Sequence, residues 1–359
     1  MLVGNLACLL FLAGFAQAET LRIATYNVEL QRDGPGLLLH DIERGEDEQI
    51  HDVIAVIAQV RADILVLQGF DWDFENRALK AFQARLKSSG LALDHLHATR
   101  PNSGMATGLD MDGDGYRGDA SDAQGFGRFS GQGGVAVLSR FPLPQAGRLD
   151  FTGQLWRDMP EAMLPTHPNG SPFPSPEALA AQRLSSTVHW VVPVSLPDGL
   201  PIWLMVYQAG PPVFDGPEDR NGWRNHDENL FWTHYLSGAF ESAPKGRFII
   251  AGGANLDPFD GEGRHGAIKT LLTHPLLQDP HPESKGAATA EDQGHMGPNA
   301  LDTVDWPHVG RLRVDYLLPS RDMRVLDSGV YWPAPDDPAH ATVSGASRHR
   351  LVWVDLDLP

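Results

Sequence analysis

The chain has 359 residues, 42% of them hydrophobic, and a formal net charge of −18. That length and apolar content suffice for one large globular domain and do not demand a second. The charge disfavours long nucleic acid, whose polyphosphate backbone an acidic surface repels. A single cysteine, Cys8, leaves no basis for an internal disulfide or a cysteine metal centre.

Residues Met1–Ala18 carry no charged side chain. The apolar block Leu6–Phe15 runs into Ala16-Gln17-Ala18, a small-residue cleavage pattern. This predicts an export signal at 1–18, removed before Glu19, with the mature chain periplasmic or extracellular. The block is too short to span a bilayer, and no later run is long enough. Residues 19–359 then read as a single domain.

Leu21–Val28 alternates as a strand and ends at Asn27. Glu46–Arg61 places Ile50, Val53, Ile54, Ile57 and Val60 on one helical face. Asp63–Gln68 is the next buried strand. It runs into Gly69-Phe70-Asp71-Trp72-Asp73, and a second amphipathic helix follows at about Phe74–Lys87. Strand, helix, strand, helix is a layered α/β pattern.

An insertion at about 102–132 is rich in Gly and Asp. Its centre is Asp110-Met111-Asp112-Gly113-Asp114-Gly115, with Asp119 and Asp122 beyond. Alternate carboxylates followed by a turn-permitting Gly form the first half of a calcium loop, and hard oxygen ligands without His or Cys suit calcium. Ser121 stands where the bidentate Glu is expected, so Asp119 or Asp122 must close the shell. The plain alternative is a solvated acidic loop.

Gly133–Pro142 reads as a strand ending in Ser139-Arg140. Ser186–Val194 and Ile202–Tyr207 flank a hairpin turn at Leu196-Pro197-Asp198-Gly199. After Gln208 comes a stretch dense in charge and turn formers, with Asp215, Arg220 and His226 as candidate ligand contacts, and then a helix around Glu228–Phe240. Phe248-Ile249-Ile250 is a short buried strand whose end, Gly252-Gly253-Ala254-Asn255-Leu256-Asp257, holds polar groups where layered folds place their ligands. Arg264–His274 reads as a short helix and 280–300 as a polar loop. Arg313–Leu318 and Arg350–Leu356 are the final strands, the second preceded by Ser347-Arg348-His349.

Taken in order, Thr25-Tyr26-Asn27-Val28, Asp63–Gln68, Gly133–Pro142, Gly252–Asp257, Arg313–Leu318 and Ser347–His349 resemble the endonuclease/exonuclease/phosphatase superfamily over about Leu21–Leu356. The resemblance implies a four-layer αββα sandwich, two mostly antiparallel sheets face to face with helices outside. It also implies phosphoester hydrolysis by water with one or two divalent metals, Mg or Mn, and a His/Asp pair. Residue by residue, Asn27 and Asn255 match family asparagines, Asp315 the acid that orients the catalytic histidine, and His349 that histidine.

Four positions depart from the family pattern. Gly69 replaces a metal-binding Glu, Gly253 the Asp that activates water, Gln208 a His, and Arg348 the Asp before the last His. Three readings follow. In the first, a rearranged enzyme takes metal through Asp71 (or Asp73) and Asp257, uses Arg348 as an electrostatic substitute, and draws Arg140, Arg220 and His226 to the substrate. In the second, an attenuated member binds a small phosphorylated or otherwise anionic ligand through Arg348, His349 and Asn255. In the third, a calcium-stabilised exported domain serves interaction alone.

Overall fold

The computed structural model describes residues 19–240, 243–289 and 294–358. The expected export signal lies outside these residues.

In chain order the first half gives β1 (Glu19–Leu30), α1 (Leu37–Arg44), α2 (Glu48–Val60), β2 (Ile64–Phe70), α3 (Arg77–Ser88), β3 (His95–His97), β4 (Gly134–Ser139) and β5 (Leu149–Asp150). The second half gives α4 (Pro176–Ala181), β6 (His189–Ser195), β7 (Pro201–Gln208), α5 (Arg220–Leu236), β8 (Phe248–Gly253), α6 (Gly266–Leu272) and α7 (Lys285–Ala288). It ends with β9 (Val304–Trp306), β10 (Gly310–Leu312), β11 (Asp315–Pro319), β12 (Val325–Tyr331), α8 (His340–Ala346) and β13 (Leu351–Leu358).

Two large sheets form, ordered β12-β13-β1-β2-β4-β3 and β11-β8-β7-β6-β5, with β9 and β10 as a separate ribbon. Each large sheet has one parallel pair, β1 with β2 and β7 with β8, and is otherwise antiparallel. The packing gives four layers. Leu21, Ile23, Val66, Val137, Val192, Leu204, Ile249 and Val354 form the core between the sheets. The other face of the first sheet, Ala24, Tyr26, Leu65 and Leu138, is covered by apolar residues of α1, α2, α3 and α8. The other face of the second sheet, Met205, Tyr207, Ile250 and Tyr316, is covered by Phe231, Trp232 and Tyr235 of α5 and by α6. This is the αββα sandwich expected, and no described helix is long and apolar enough to cross a membrane.

Helix α2 starts where its capping residue dictates, with the Asp47 carboxylate accepting from Ile50 N at 2.8 Å. Helix α5 departs from expectation. It begins at Arg220, eight residues before the sequence pattern suggested, because its first turns bury polar side chains and carry no apolar period. Helix α8, strand β12 and the β9–β10 ribbon were likewise not anticipated.

Candidate active site

Strand alternation builds the site. The inward face of β1 reads Leu21, Ile23, Thr25, Asn27, that of β2 reads Ile64, Val66, Gln68, and that of β7 reads Leu204, Val206, Gln208. Strand β8 contributes Ile249, Ala251, Gly253, and β11, running the other way, Leu317 then Asp315. At one end of the sandwich the inward face therefore changes from apolar to polar on β1, β2, β7 and β11, while β8 ends in Gly253. Register completes the arrangement: Gln208 pairs with Gly253 and Gly253 with Asp315, while Asn27 pairs with Gln68.

His349, just before β13, reaches into this end and is 4% exposed. Its Nδ1 lies 2.8 Å from Asp315 Oδ2. The same carboxylate oxygen accepts from Thr303 Oγ1 at 2.9 Å, and Thr303 Oγ1 accepts from the backbone of Val314 and Asp315. A carboxylate accepts only, so Nδ1 carries the proton and Nε2 presents its lone pair. Asn27 Nδ2 faces that nitrogen at 3.4 Å. The amide is oriented by Glu29 N, which donates to Asn27 Oδ1 at 3.3 Å. The edge of the Trp306 ring packs against the imidazole, centroids 5.7 Å apart.

Glu29 joins the cluster from β1 in a left-handed conformation, φ 48°. Its carboxylate accepts from Arg348 N at 2.7 Å, from Arg348 Nε at 2.9 Å and from Arg348 Nη2. Ser347 Oγ lies 3.1 Å from Glu29 Oε2 and 2.8 Å from Asn27 O, and accepts from His349 N. Burial pushes the Glu29 carboxyl up. The hydrogen bonds and positive charge of Arg348 oppose that, and the carboxyl is held below the usual carboxylate range.

The two glycines of the site are enclosed. Gly69 sits at φ 65°, and a Cβ there would overlap Asn27 Oδ1 and stand 3.0 Å from Glu29 N. A Cβ at Gly253 would overlap the amide of Gln208. Gln208 Oε1 and Asp315 Oδ1 are buried without a hydrogen-bond partner among the described residues.

The model of the endonuclease/exonuclease/phosphatase family matches residues 24–349, a span that contains every element of this site. The chain belongs to that family. Solved structures of the same fold include an endonuclease/exonuclease/phosphatase from Beutenbergia cavernae, 17% identical with a TM-score of 0.55 over 94% of this chain and 72% of that one. A family protein from Leptotrichia buccalis is 16% identical, with a TM-score of 0.52 over 94% of this chain and all of that one. The human Nocturnin catalytic domain, solved with a bound sulfate anion, is 15% identical, with a TM-score of 0.53 over 95% of each chain. No curated protein matches this chain.

The family is generally dependent on a divalent metal, and the residues at His349 do not fit one. Metal binding needs carboxylate oxygens converging with free lone pairs. Here the bonded oxygen of Asp315 serves His349 and Thr303, Glu29 is committed to Arg348, and Gly69 and Gly253 offer no side-chain ligand. Among the described residues, no group of three His, Asp or Glu able to share an ion includes any of them.

Of the residues singled out from the sequence, Asn27, Asp315, Arg348 and His349 come together. Asn255, two residues past Gly253, is in a left-handed conformation, its amide donating to Ala209 O at 2.7 Å. The proposed metal carboxylates do not join them. Asp71 accepts from Arg32 N and Gly133 N, both at 2.8 Å, and burial pushes its pKa up to about 6. Asp73 caps α3 through Arg77 N and Ala78 N. Asp257 accepts from the backbone of Phe259, Asp260 and Arg313. All three hold backbone amides.

The remaining candidates are elsewhere. Arg140 follows Ser139, which pairs with Ile64 at the opposite end of the first sheet, and it is ion-paired with Asp63. Arg220 donates to Met111 O in the acidic insertion, and His226 Nδ1 lies 2.9 Å from Asp227 Oδ1. In the insertion two acidic groups able to hold a metal form, Asp110 with Asp112 and Asp122, and Asp112 with Asp114 and Asp119. Sequence reasoning missed Glu29, Thr303 and Trp306. Glu29 carried a usable signal, two residues beyond Asn27 on the same strand. Thr303 and Trp306 followed a stretch with no period to read.

Proposed function

We propose that this chain is a catalytically attenuated member of the family that binds a small phosphorylated or otherwise anionic ligand at the His349 end of the sandwich. One observation carries the reading. The places of the family's metal-binding Glu and water-activating Asp are filled by the Asn27 and Gln208 amides, so the hydrolytic set is replaced and not merely trimmed. What remains suits binding. Asn27 Nδ2 and the Arg348 guanidinium are donors, and the buried Gln208 Oε1 and Asp315 Oδ1 have no partner among the described residues, a cost that a donor from a ligand would relieve. A fold neighbour, the Nocturnin catalytic domain, was solved with sulfate, a tetrahedral oxyanion. The net charge of −18 favours small ligands over long nucleic acid.

The second reading, metal-dependent phosphoester hydrolysis with Mg or Mn, is favoured by the His349–Asp315 pair. Its 2.8 Å contact orients the imidazole so that Nε2 is the nitrogen turned to Asn27. Calorimetry with inorganic phosphate and a panel of small phosphoesters separates the two, run beside phosphate release with magnesium, manganese or calcium. Binding that is lost in His349→Ala, with no metal-dependent release, is the expected result. Metal-stimulated release abolished by His349→Ala would replace this proposal with hydrolysis.

Export through 1–18 and calcium in the insertion complete the reading. Asp122, 2% exposed, accepts from Met111 N and Gly118 N and lies within reach of Asp110 and Asp112. Calcium at about 100 times its dissociation constant would add about 2.7 kcal/mol of stability. A melting temperature unmoved by chelator would remove calcium from the account.

A further inference from the structure

The charges around His349 pose a problem of balance. Asp315 is fully buried and the Glu29 side chain is only 14% exposed. Two carboxylates so placed need a positive partner. In the family a divalent ion meets that need. Here the chain supplies a guanidinium from the residue next to His349.

We propose that Arg348, held by Glu29, is the resident cation of this centre in place of a divalent metal, so that anion capture at the site is independent of added metal. Three observations support it. First, Glu29 takes three donors from Arg348, the backbone N on Oε2 and both Nε and Nη2 on Oε1, and hydrogen bonds between ionised groups are stronger than neutral ones. Second, the pair is built into the site and is not a surface accident. Ser347 Oγ touches both Asn27 O and Glu29 Oε2, and Glu29 N orients the Asn27 amide that faces His349. Third, position 69 carries no metal-binding side chain, and a Cβ there, at φ 65°, would displace the Asn27 amide and crowd Glu29 N. Glu29 thus serves as the carboxylate of the centre, and Arg348 as its cation. With Nε and Nη2 on Glu29, the rest of the half-exposed guanidinium is left for an anion.

This assignment rests on the ligand-binding reading only for the identity of what is captured; the nature of the cation is tested apart from it. Manganese is titrated into the full chain, with bound ion counted by electron paramagnetic resonance. In the wild-type protein, Glu29→Gln and His349→Ala leave the number of bound ions unchanged, since all lie in the acidic insertion. Arg348→Asp, which puts a second carboxylate beside Glu29, adds one ion, and the E29Q/R348D double variant loses it again. Inorganic phosphate binds with the same affinity, within about twofold, with or without chelator, and at least about tenfold more weakly to Arg348→Met.

Loss of a manganese ion from Glu29→Gln or His349→Ala would overturn the proposal, as would an R348D protein with a native circular dichroism spectrum and no added ion. If R348D does not fold, the two single variants still decide. Absence of phosphate binding by the wild-type protein would sink the ligand reading and leave the manganese count to judge the cation.

Discussion

The two parallel strand pairs make a comparison within one molecule. In the first sheet, β1 reaches β2 through α1 and α2; in the second, β7 reaches β8 through α5. Both crossovers bring strand ends to the His349 site, yet their helices are held by opposite means. Helix α2 buries Ile50, Val53, Ile54, Val56, Ile57 and Val60. The first half of α5 buries Arg224, Asn225, Asp227, Glu228 and Asn229, and only its second half buries Phe231, Trp232, Tyr235 and Leu236.

The polar half of α5 is fully engaged. Arg224 donates to the carbonyls of Gln124, Arg183, Leu184 and Ser185. Glu228 accepts from Ser186 N at 2.5 Å and Gly210 N at 2.8 Å. Asn225 Nδ2 bonds Gly210 O at 2.7 Å and Ala254 O at 2.8 Å, and so ties the ends of β7 and β8 together. Asp227 accepts from Trp156 Nε1 and Met163 N. Apolar burial holds a helix in place without regard to direction; hydrogen bonds fix the loops it touches to a definite position. The first crossover supplies stability and the second supplies geometry.

The largest effect that would break this contrast is Arg224→Ala. It removes four carbonyl contacts and leaves Glu228 without its neighbouring cation, and is expected to lower the unfolding free energy by about 3–5 kcal/mol in urea titration. A loss near zero would mean that the network is decorative. Asn225→Ala should cost about 1–3 kcal/mol and, more tellingly, speed amide exchange at Gly210 and Ala254 while leaving α2 untouched. Gly69→Ala should cost about 1–2 kcal/mol, from its left-handed backbone and from displacing the Asn27 amide. On the apolar side, Ile57→Val should cost only about 0.5–1.5 kcal/mol with no change in exchange at the site.

Acidity sharpens the same comparison. Burial pushes the Glu228 carboxyl up to about 7 from an ordinary 4.5, with Arg224 and the Ser186 and Gly210 hydrogen bonds opposing the shift. Between those values the folded chain holds more protons than the unfolded one, so stability falls as pH rises from about 4.5 to about 7 and is level above. Glu228→Gln should lose that part of the slope, so the wild-type melting temperature declines relative to the variant across this range. Parallel curves would contradict the burial of an ionisable group there.

The same physics explains what could be read from the sequence. Helix α2 was legible because its apolar residues recur with the helical period; alternation of strands and helices gave only a layered α/β pattern, and the sandwich came from the resemblance of the ordered strand-end motifs to the family. Helix α5 was misplaced by eight residues because a helix that buries Arg, Asn, Asp and Glu carries no hydrophobic period to find. At the site, Asn27, Asp315 and His349 were legible from their order along the chain. Asp71 and Asp257 were misleading, since a carboxylate after a strand serves as well to clamp backbone amides as to hold a metal. Arg348 was read, but its partner Glu29 was not, because the pair joins residues 319 apart.

The central claim is that protein side chains fill the places of metal and base at His349. Diffraction from crystals soaked in manganese, with data at the manganese absorption edge, tests it most directly. The account predicts anomalous density in the Asp110–Asp122 loop and none near His349. A peak within coordination distance of Glu29, Asn27 or His349 would contradict it.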